Sequence, residues 1–382
     1  MRPEKIQGGL FLLLCLLLFM PLAQQKLHFV SGGKLDGAVR NSPPAKFSLS
    51  TWFDGSYQEA QTKYLNDSMG FRPALVRLNN QLDFSLFNKI HAQGVVAGPG
   101  NYLYEKGYID MYCSMLYTGD TQTRSRLIKL KLVQDTLQRL GKSVIVVHAP
   151  SKAWYYPDHF PSFIHCDTTG HSTYKDYLRL EDSLHINRID FNAWFAKMRP
   201  RSTHLLMAKQ STHWTLYGAL LAADSLTRRI EQMQHIKMAH VSFTRLQLSD
   251  SAQYTDNDIA KGMNLLFAPA KETFTYPEVQ FITGADTRKP NAIYMGDSFF
   301  WTFIYDHIPA NVNNDWLFWY AWGDIWYRKN GQEGISSADQ FDWTAALSNA
   351  DYIVLLSSEV NLNRLGNGFI EKAYKHYYPR GK

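Results

Sequence analysis

The sequence predicts an α/β fold: a central parallel sheet flanked by helices in three layers. Three observations predict it. Short apolar runs without polar alternation, Ser143–Val147, Ala292–Met295 and Tyr352–Leu356, read as strands buried on both faces. Segments of helical period lie between them. Residues capable of chemistry, His148, Lys152, His213, Ser298 and Glu359, fall just past strand ends, where open α/β sheets carry their sites.

Taken in order, the chain starts with an export signal. Arg2 and Lys5 precede an apolar stretch, residues 8–23, that has no charge. It is shorter than the roughly 20 residues of a standard span and longer than most signal cores. Pro21 stands three residues before the one candidate cleavage point, after Ala23, so an uncleaved anchor in the inner membrane is expected, with the bulk of the chain outside the cytoplasm. Residues 1–24 are thus anchor or signal. Residues 25–49, with Ser31-Gly32-Gly33 and Asn41-Ser42-Pro43-Pro44, read as a linker. One domain is expected over 50–382. It opens with one or two helices over Ser48–Phe87, where Leu75, Leu78 and Leu82 keep helical spacing. A helix is expected over Thr121–Leu140, with Leu130, Val133, Leu137 and Leu140 on one face and Gly141 as its stop. Further expectations are a strand at Leu205–Ala208, a helix over Trp214–Met233, and a helix over Ala338–Ser348 before the last strand.

Composition bounds the function. The chain has 382 residues, 45% of them hydrophobic, enough for a full core. Its net charge of +6 is spread out, without a long basic run, which gives no footprint for nucleic acid and is compatible with an anionic polysaccharide. Aromatic residues abound, and the stretch Trp316–Tyr327, including Trp322, suits either stacking on a sugar or packing on the sheet. Outside the N-terminal segment the only cysteines are Cys113 and Cys166, which are free to form one disulfide in an oxidising compartment. No metal-ligand spacing, P-loop or dinucleotide fingerprint occurs, so neither a metal nor a cofactor is expected.

Two motifs carry the chemistry: Ser211-Thr212-His213-Trp214 and Gly296-Asp297-Ser298-Phe299. The second ends a buried strand in a tight turn. Such a turn lifts a serine out of the sheet and leaves backbone N–H groups near Gly296 and Ser298 to hold an oxyanion. A serine and a histidine that meet there suffice for acyl transfer through a serine ester. Asp297 neighbours Ser298 on the turn, so a structural role is expected for it.

In this order the motifs resemble the SGNH-hydrolase-like domain of the alginate O-acetyltransferase family, the AlgJ and AlgX relatives. Gly98-Pro99-Gly100-Asn101-Tyr102-Leu103-Tyr104, Ala149-Pro150-Ser151-Lys152 with Tyr156-Pro157-Asp158, and Met69-Gly70-Phe71-Arg72 resemble other segments of that family. The resemblance runs from about residue 50 to 372. It implies Ser298 as nucleophile and His213 as base. Ser211 stands where the family carries an acid two residues before the histidine. Three alternatives follow: a carboxylate from elsewhere, a dyad, or an inactive site. Glu359 is one candidate acid, and Asp250, Asp256 and Asp258 lie in a polar loop able to cover the site. Lys152, Trp214 and Glu359 are the candidate substrate-facing residues.

The implied activity is O-acetylation of an exported or cell-surface polysaccharide in the periplasm. The resemblance further implies a membrane-bound O-acyltransferase type partner as acetyl donor. The alternatives are a carbohydrate esterase or deacetylase, and a non-catalytic polysaccharide-binding subunit of an export complex.

Overall fold

The computed structural model describes residues 3–37, 42–321 and 323–379. Arg2 and Trp322, both singled out in the sequence, lie outside the described residues. The described residues form two compact units, 1–93 with 260–269, and 94–259 with 270–382. The unit that carries both motifs therefore starts at Gly94, and the helices of Ser48–Phe87 cluster in the other.

In the first unit α1 (Pro3–Leu27) is followed by extended chain and then by three short helices, α2 (Leu49–Phe53), α3 (Ser56–Ser68) and α4 (Arg72–Phe87). The expectation of one or two helices was too few, because Gly55, with φ at +84°, and Met69-Gly70 break the run. Ile6–Leu27 of α1, 22 residues, is the one described helix long and apolar enough to cross a membrane, a test that signal sequences pass too.

The second unit is built on a seven-stranded sheet. Its strands are β1 (Ser143–His148), β2 (Arg188–Asp190), β3 (Ala292–Gly296), β4 (Trp316–Tyr320), β5 (Asp324–Lys329), β6 (Gln332–Ser337) and β7 (Tyr352–Ser357), arranged β6-β5-β4-β3-β7-β1-β2. β7 lies in the middle of the five parallel strands, between β1 and β3; β2 and β4 complete the parallel core, and β5 and β6 add an antiparallel edge. This is the α/β architecture the apolar runs predict.

Both faces are covered, with the side chains alternating at period two. Ile145, Val147, Tyr294, Phe318, Val354 and Leu356 point to one core, together with α8 (Leu216–Gln234). Val144, Val146, Ile293, Met295, Ile353 and Leu355 point to the other, under α5 (Thr121–Arg139), α6 (Thr173–Leu184) and α9 (Phe369–Tyr377). α5 buries Leu127, Leu130, Val133 and Leu137 as one stripe, but Leu140 is its exposed C-cap. α7 (Phe191–Met198) follows β2.

Two expectations need correction, and one left open is decided. Leu205–Ala208 is not a sheet strand. Leu206, Met207 and Ala208 are fully buried, but the segment makes only a single bridge, Met207 to Trp214. A short buried apolar run does not by itself separate a strand from other buried chain. The helix placed at Ala338–Ser348 spans only Trp343–Asn349, capped by the Asp342 carboxylate on the Ala345 N–H. The aromatic stretch from Trp316 forms β4 and β5. Trp301 meets Phe318, Tyr320 and Trp326 edge-on, so these rings pack on the sheet.

Ile353 of β7 is fully buried between Val144 of β1 and Ile293 of β3. Ile353→Ala is expected to lower unfolding free energy by about 2–5 kcal/mol through lost transfer and a residual cavity, measured by denaturant titration.

Candidate active site

Ser298 opens the helical turn Ser298–Phe300 directly after β3. Its N–H is one of the first in that turn and so has no partner within it. The turn is held from behind by Asp297. One carboxylate oxygen, Oδ1, accepts from the Phe299 N–H at 3.2 Å. The other, Oδ2, accepts from the Ser358 N–H at 2.7 Å, the Ser358 hydroxyl at 2.6 Å and Asn361 Nδ2 at 2.9 Å. Asp297 is thereby tied to the end of β7, in the structural role expected of it. Gly296 is buried, and a Cβ there would meet Leu356 and Phe300 only at ordinary contact distance, 3.5 Å.

His213 faces Ser298 across the end of the sheet: Nε2 lies 2.7 Å from the Ser298 hydroxyl oxygen. On its other side Nδ1 hydrogen-bonds to Oδ2 of Asp258. The second oxygen of Asp258 accepts from the Thr212 N–H at 2.9 Å and the Ile259 N–H at 2.7 Å. Carboxylate, imidazole and hydroxyl thus form one hydrogen-bonded line, and an imidazole so held can take a proton from the serine.

The charges of this line reinforce each other. Burial pushes the His213 pKa down, but the Asp258 charge and hydrogen bond outweigh it, with Asp297 and Glu105 adding, so the net shift is upward. Burial pushes Asp258 up, yet His213 and the two backbone N–H donors outweigh that and hold it below the ordinary carboxylate value.

Ser211 does not take the place of the acid. Its hydroxyl accepts from the His213 N–H at 2.9 Å and donates to the Thr255 carbonyl at 2.7 Å. It ties the histidine loop to the segment that brings in Asp258 and does not touch the imidazole ring nitrogens. The carboxylate comes from the polar loop after the strand His240–Ser249, and of the acids named there only Asp258 reaches His213. No spacing rule links it to the histidine motif, which is why the sequence left it as one of several.

The residues expected to face substrate are all buried. Lys152 lies under the histidine loop and donates from Nζ to the carbonyls of Lys209 and Ser211, the latter at 2.9 Å. Burial pushes its pKa down to about 7, against the pull of Glu272, Asp258 and Glu105. Its role is therefore inside the fold. Trp214 is fully buried, stacked on Phe303 and edge-on to Phe299. Glu359 is buried near Trp154 and Ser151, with burial pushing its pKa up to about 7. His148 turns to Glu181 on the opposite face of the sheet, at 2.8 Å.

Cys113 and Cys166 are joined in a disulfide, the pairing the sequence left open.

In a comparison with known proteins, residues 95–281 match the family described as an SGNH hydrolase-like domain of the acetyltransferase AlgX. The matched stretch includes His213 and Asp258 and stops short of Ser298. Over 195 residues the chain is 26% identical to the probable alginate O-acetylase AlgJ of Pseudomonas syringae pathovar tomato, covering 49% of this chain and 47% of that protein. The chain thus spans about half the length of that relative. Among solved structures it is similar to the O-acetyltransferase domain of Pseudomonas putida AlgJ, with a TM-score of 0.49 and 16% identity over 74% of this chain and 99% of that one. It is also similar to Pseudomonas aeruginosa AlgX, with a TM-score of 0.46 and 14% identity over 74% and 66% of the two chains.

Two outcomes separate the roles of Asp258 and Ser211. Serine-dependent turnover is expected to fall on an acid limb centred above the ordinary imidazole value of 6.5, because His213 must be neutral to accept a proton. Asp258→Asn removes the upward pull, so the limb moves to lower pH and kcat falls by about 10⁴-fold. Ser211→Ala leaves the limb where it is and costs stability of about 1–3 kcal/mol for the unpaired groups, read by pH–rate profiles and denaturation of both variants.

Proposed function

We propose that this chain, an AlgJ/AlgX-like protein with an SGNH hydrolase-like fold, O-acetylates an exported or cell-surface polysaccharide through an acetyl group carried on Ser298. The observation that supports it best is the continuous line from Asp258 through His213 to the Ser298 hydroxyl, with 2.7 Å between Nε2 and Oγ.

In the first half-reaction the Ser298 oxygen attacks the acetyl carbonyl of the donor while Nε2 of His213 takes the hydroxyl proton. The Ser298 N–H at the head of the turn holds the oxyanion; such a donor contributes on the order of 10²–10³ in rate. Collapse breaks the bond to the leaving group, which receives the proton from His213. In the second half, a sugar hydroxyl attacks the acetyl-serine, gives its proton to His213, and leaves as the ester while the proton returns to Ser298. Asp258 keeps the imidazole in the tautomer that presents a free Nε2 and stabilises the imidazolium between the steps.

The reaction belongs outside the cytoplasm. The apolar N-terminal helix suits an anchor in the inner membrane, and the Cys113–Cys166 disulfide suits an oxidising compartment. Acetyl-coenzyme A is cytoplasmic, so the acetyl group needs a carrier across the membrane. A membrane-bound acyltransferase of the O-acyltransferase type is the partner that fits.

The test uses the full chain in detergent with p-nitrophenyl acetate, with and without an acetylatable oligosaccharide, beside Ser298→Ala and His213→Ala. Nitrophenol release that both substitutions abolish, with ester acetyl appearing on the sugar, is the expected result. Release to water alone would favour an esterase. No release above the two variants would favour the non-catalytic binding subunit.

A further inference from the structure

The first unit carries an apolar surface that acetyl transfer does not use. On α4, Leu75, Leu78, Leu82 and Leu86 fall on one stripe by helical spacing, each between 45% and 68% exposed. The other side of the helix is engaged. Arg77 donates to the Gly32 and Lys34 carbonyls, Asn80 Nδ2 to the Met263 carbonyl at 2.9 Å, and Gln81 Oε1 accepts from the Phe267 N–H at 3.0 Å. Arg77, Asn80 and Gln81 thus face the unit while the four leucines face outward. α2 also exposes Leu49 and Phe53, and the exposed rings of Phe47 and Trp52 cluster with the half-buried Tyr57. Exposed apolar residues gathered on one helix face in this way mark an interaction surface.

The same unit is joined closely to α1. Gly70, at the corner between α3 and α4, is pressed on the end of α1: a Cβ there would lie 2.1 Å from the Pro21 carbonyl oxygen and 2.7 Å from Gln24 Cβ. Gln25 Nε2 donates to the Ser68 hydroxyl at 2.8 Å, and the rings of Phe29 and Phe71 meet at 5.9 Å. At 1.5 Å per residue, Pro21 stands about 9 Å back from Leu27. With the helix Ile6–Leu27 placed across a bilayer, this corner lies against the last turns of the span, at the acyl boundary. Amphipathic helices lie there with their apolar faces about 5–10 Å into the acyl boundary.

We infer that α2–α4 form a membrane-surface module whose leucine stripe is buried in the same bilayer that α1 crosses. The inference rests on the anchor reading of α1. It gives the exposed leucines a solvent that suits them and puts Trp52 and Tyr57 at the interface, which amphipathic rings prefer. It also fixes the first unit against the lipid surface at more than the single point of the anchor.

The test places nitroxide labels on the full chain in a Cys15→Ser background, reconstituted in vesicles of phosphatidylethanolamine and phosphatidylglycerol. Leu78→Cys and Leu82→Cys report on the stripe, Leu14→Cys on the anchor, and Lys197→Cys on water. The ratio of collisions with oxygen to collisions with a polar nickel complex is expected to rise several-fold at Leu78 and Leu82 relative to Lys197, as at Leu14. Stripe labels as open to nickel as Lys197, with Leu14 in lipid, would overturn the inference and leave the anchor. Labels shielded from both reagents would overturn it in favour of a protein partner or a second copy on this face. Leu14 itself in water would remove the anchor reading and this inference with it.

Discussion

The rest of the site depends on keeping one carboxylate ionised in a buried place beside one imidazole. Removing Asp258 from water costs free energy unless its charge is paired and its lone pairs are used. Here one oxygen meets His213 and the other two backbone N–H groups. That arrangement holds only while two distant segments stay in register. The histidine loop is accordingly pinned from several sides. Lys152 holds the carbonyls of Lys209 and Ser211, the Glu272 carboxylate accepts from the Lys209 N–H at 2.7 Å, and Ser211 bridges His213 and Thr255. Buried hydrogen bonds of this kind are costly to break and hold the loop in place.

The serine is fixed by different means. β7 runs through the middle of the five parallel strands beside β3, and Asp297 locks the turn after β3 to the residues after β7. Ser298 is therefore carried by the most constrained part of the fold, while His213 and Asp258 are brought over it by loops. Rigid strand and pinned loop meet at 2.7 Å, which is how a dispersed set of residues reaches the geometry that acyl transfer needs.

Much of this was legible in the sequence for a physical reason. A strand buried on both faces must be apolar throughout, so β1, β3 and β7 stood out, and the serine and histidine motifs followed from residue type and their place on the chain. The antiparallel edge β5–β6 did not stand out, because its aromatic and polar residues match neither a buried strand nor a stacking platform cleanly. Lys152 and Glu359 were expected to face substrate, since charged side chains are almost never fully buried unless paired. The loop carbonyls that occupy Lys152 are set by tertiary contact and leave no local trace. Ser211 sat in the expected place for the acid and turned out to serve the backbone. The true partner of His213 lay in a loop that no pattern ties to it. The exposed leucines of α4 were read correctly as a helical stripe, but a stripe does not say which way it faces.

The central claim is that Ser298 is activated by His213 and Asp258. The most direct measurement is covalent labelling of the full chain with a sulfonyl fluoride, followed by peptide mapping, in the parent and in His213→Ala and Asp258→Asn. One labelled residue, Ser298, is expected, modified far more slowly in both variants. Label elsewhere, or labelling of Ser298 at the same rate in all three proteins, would contradict it.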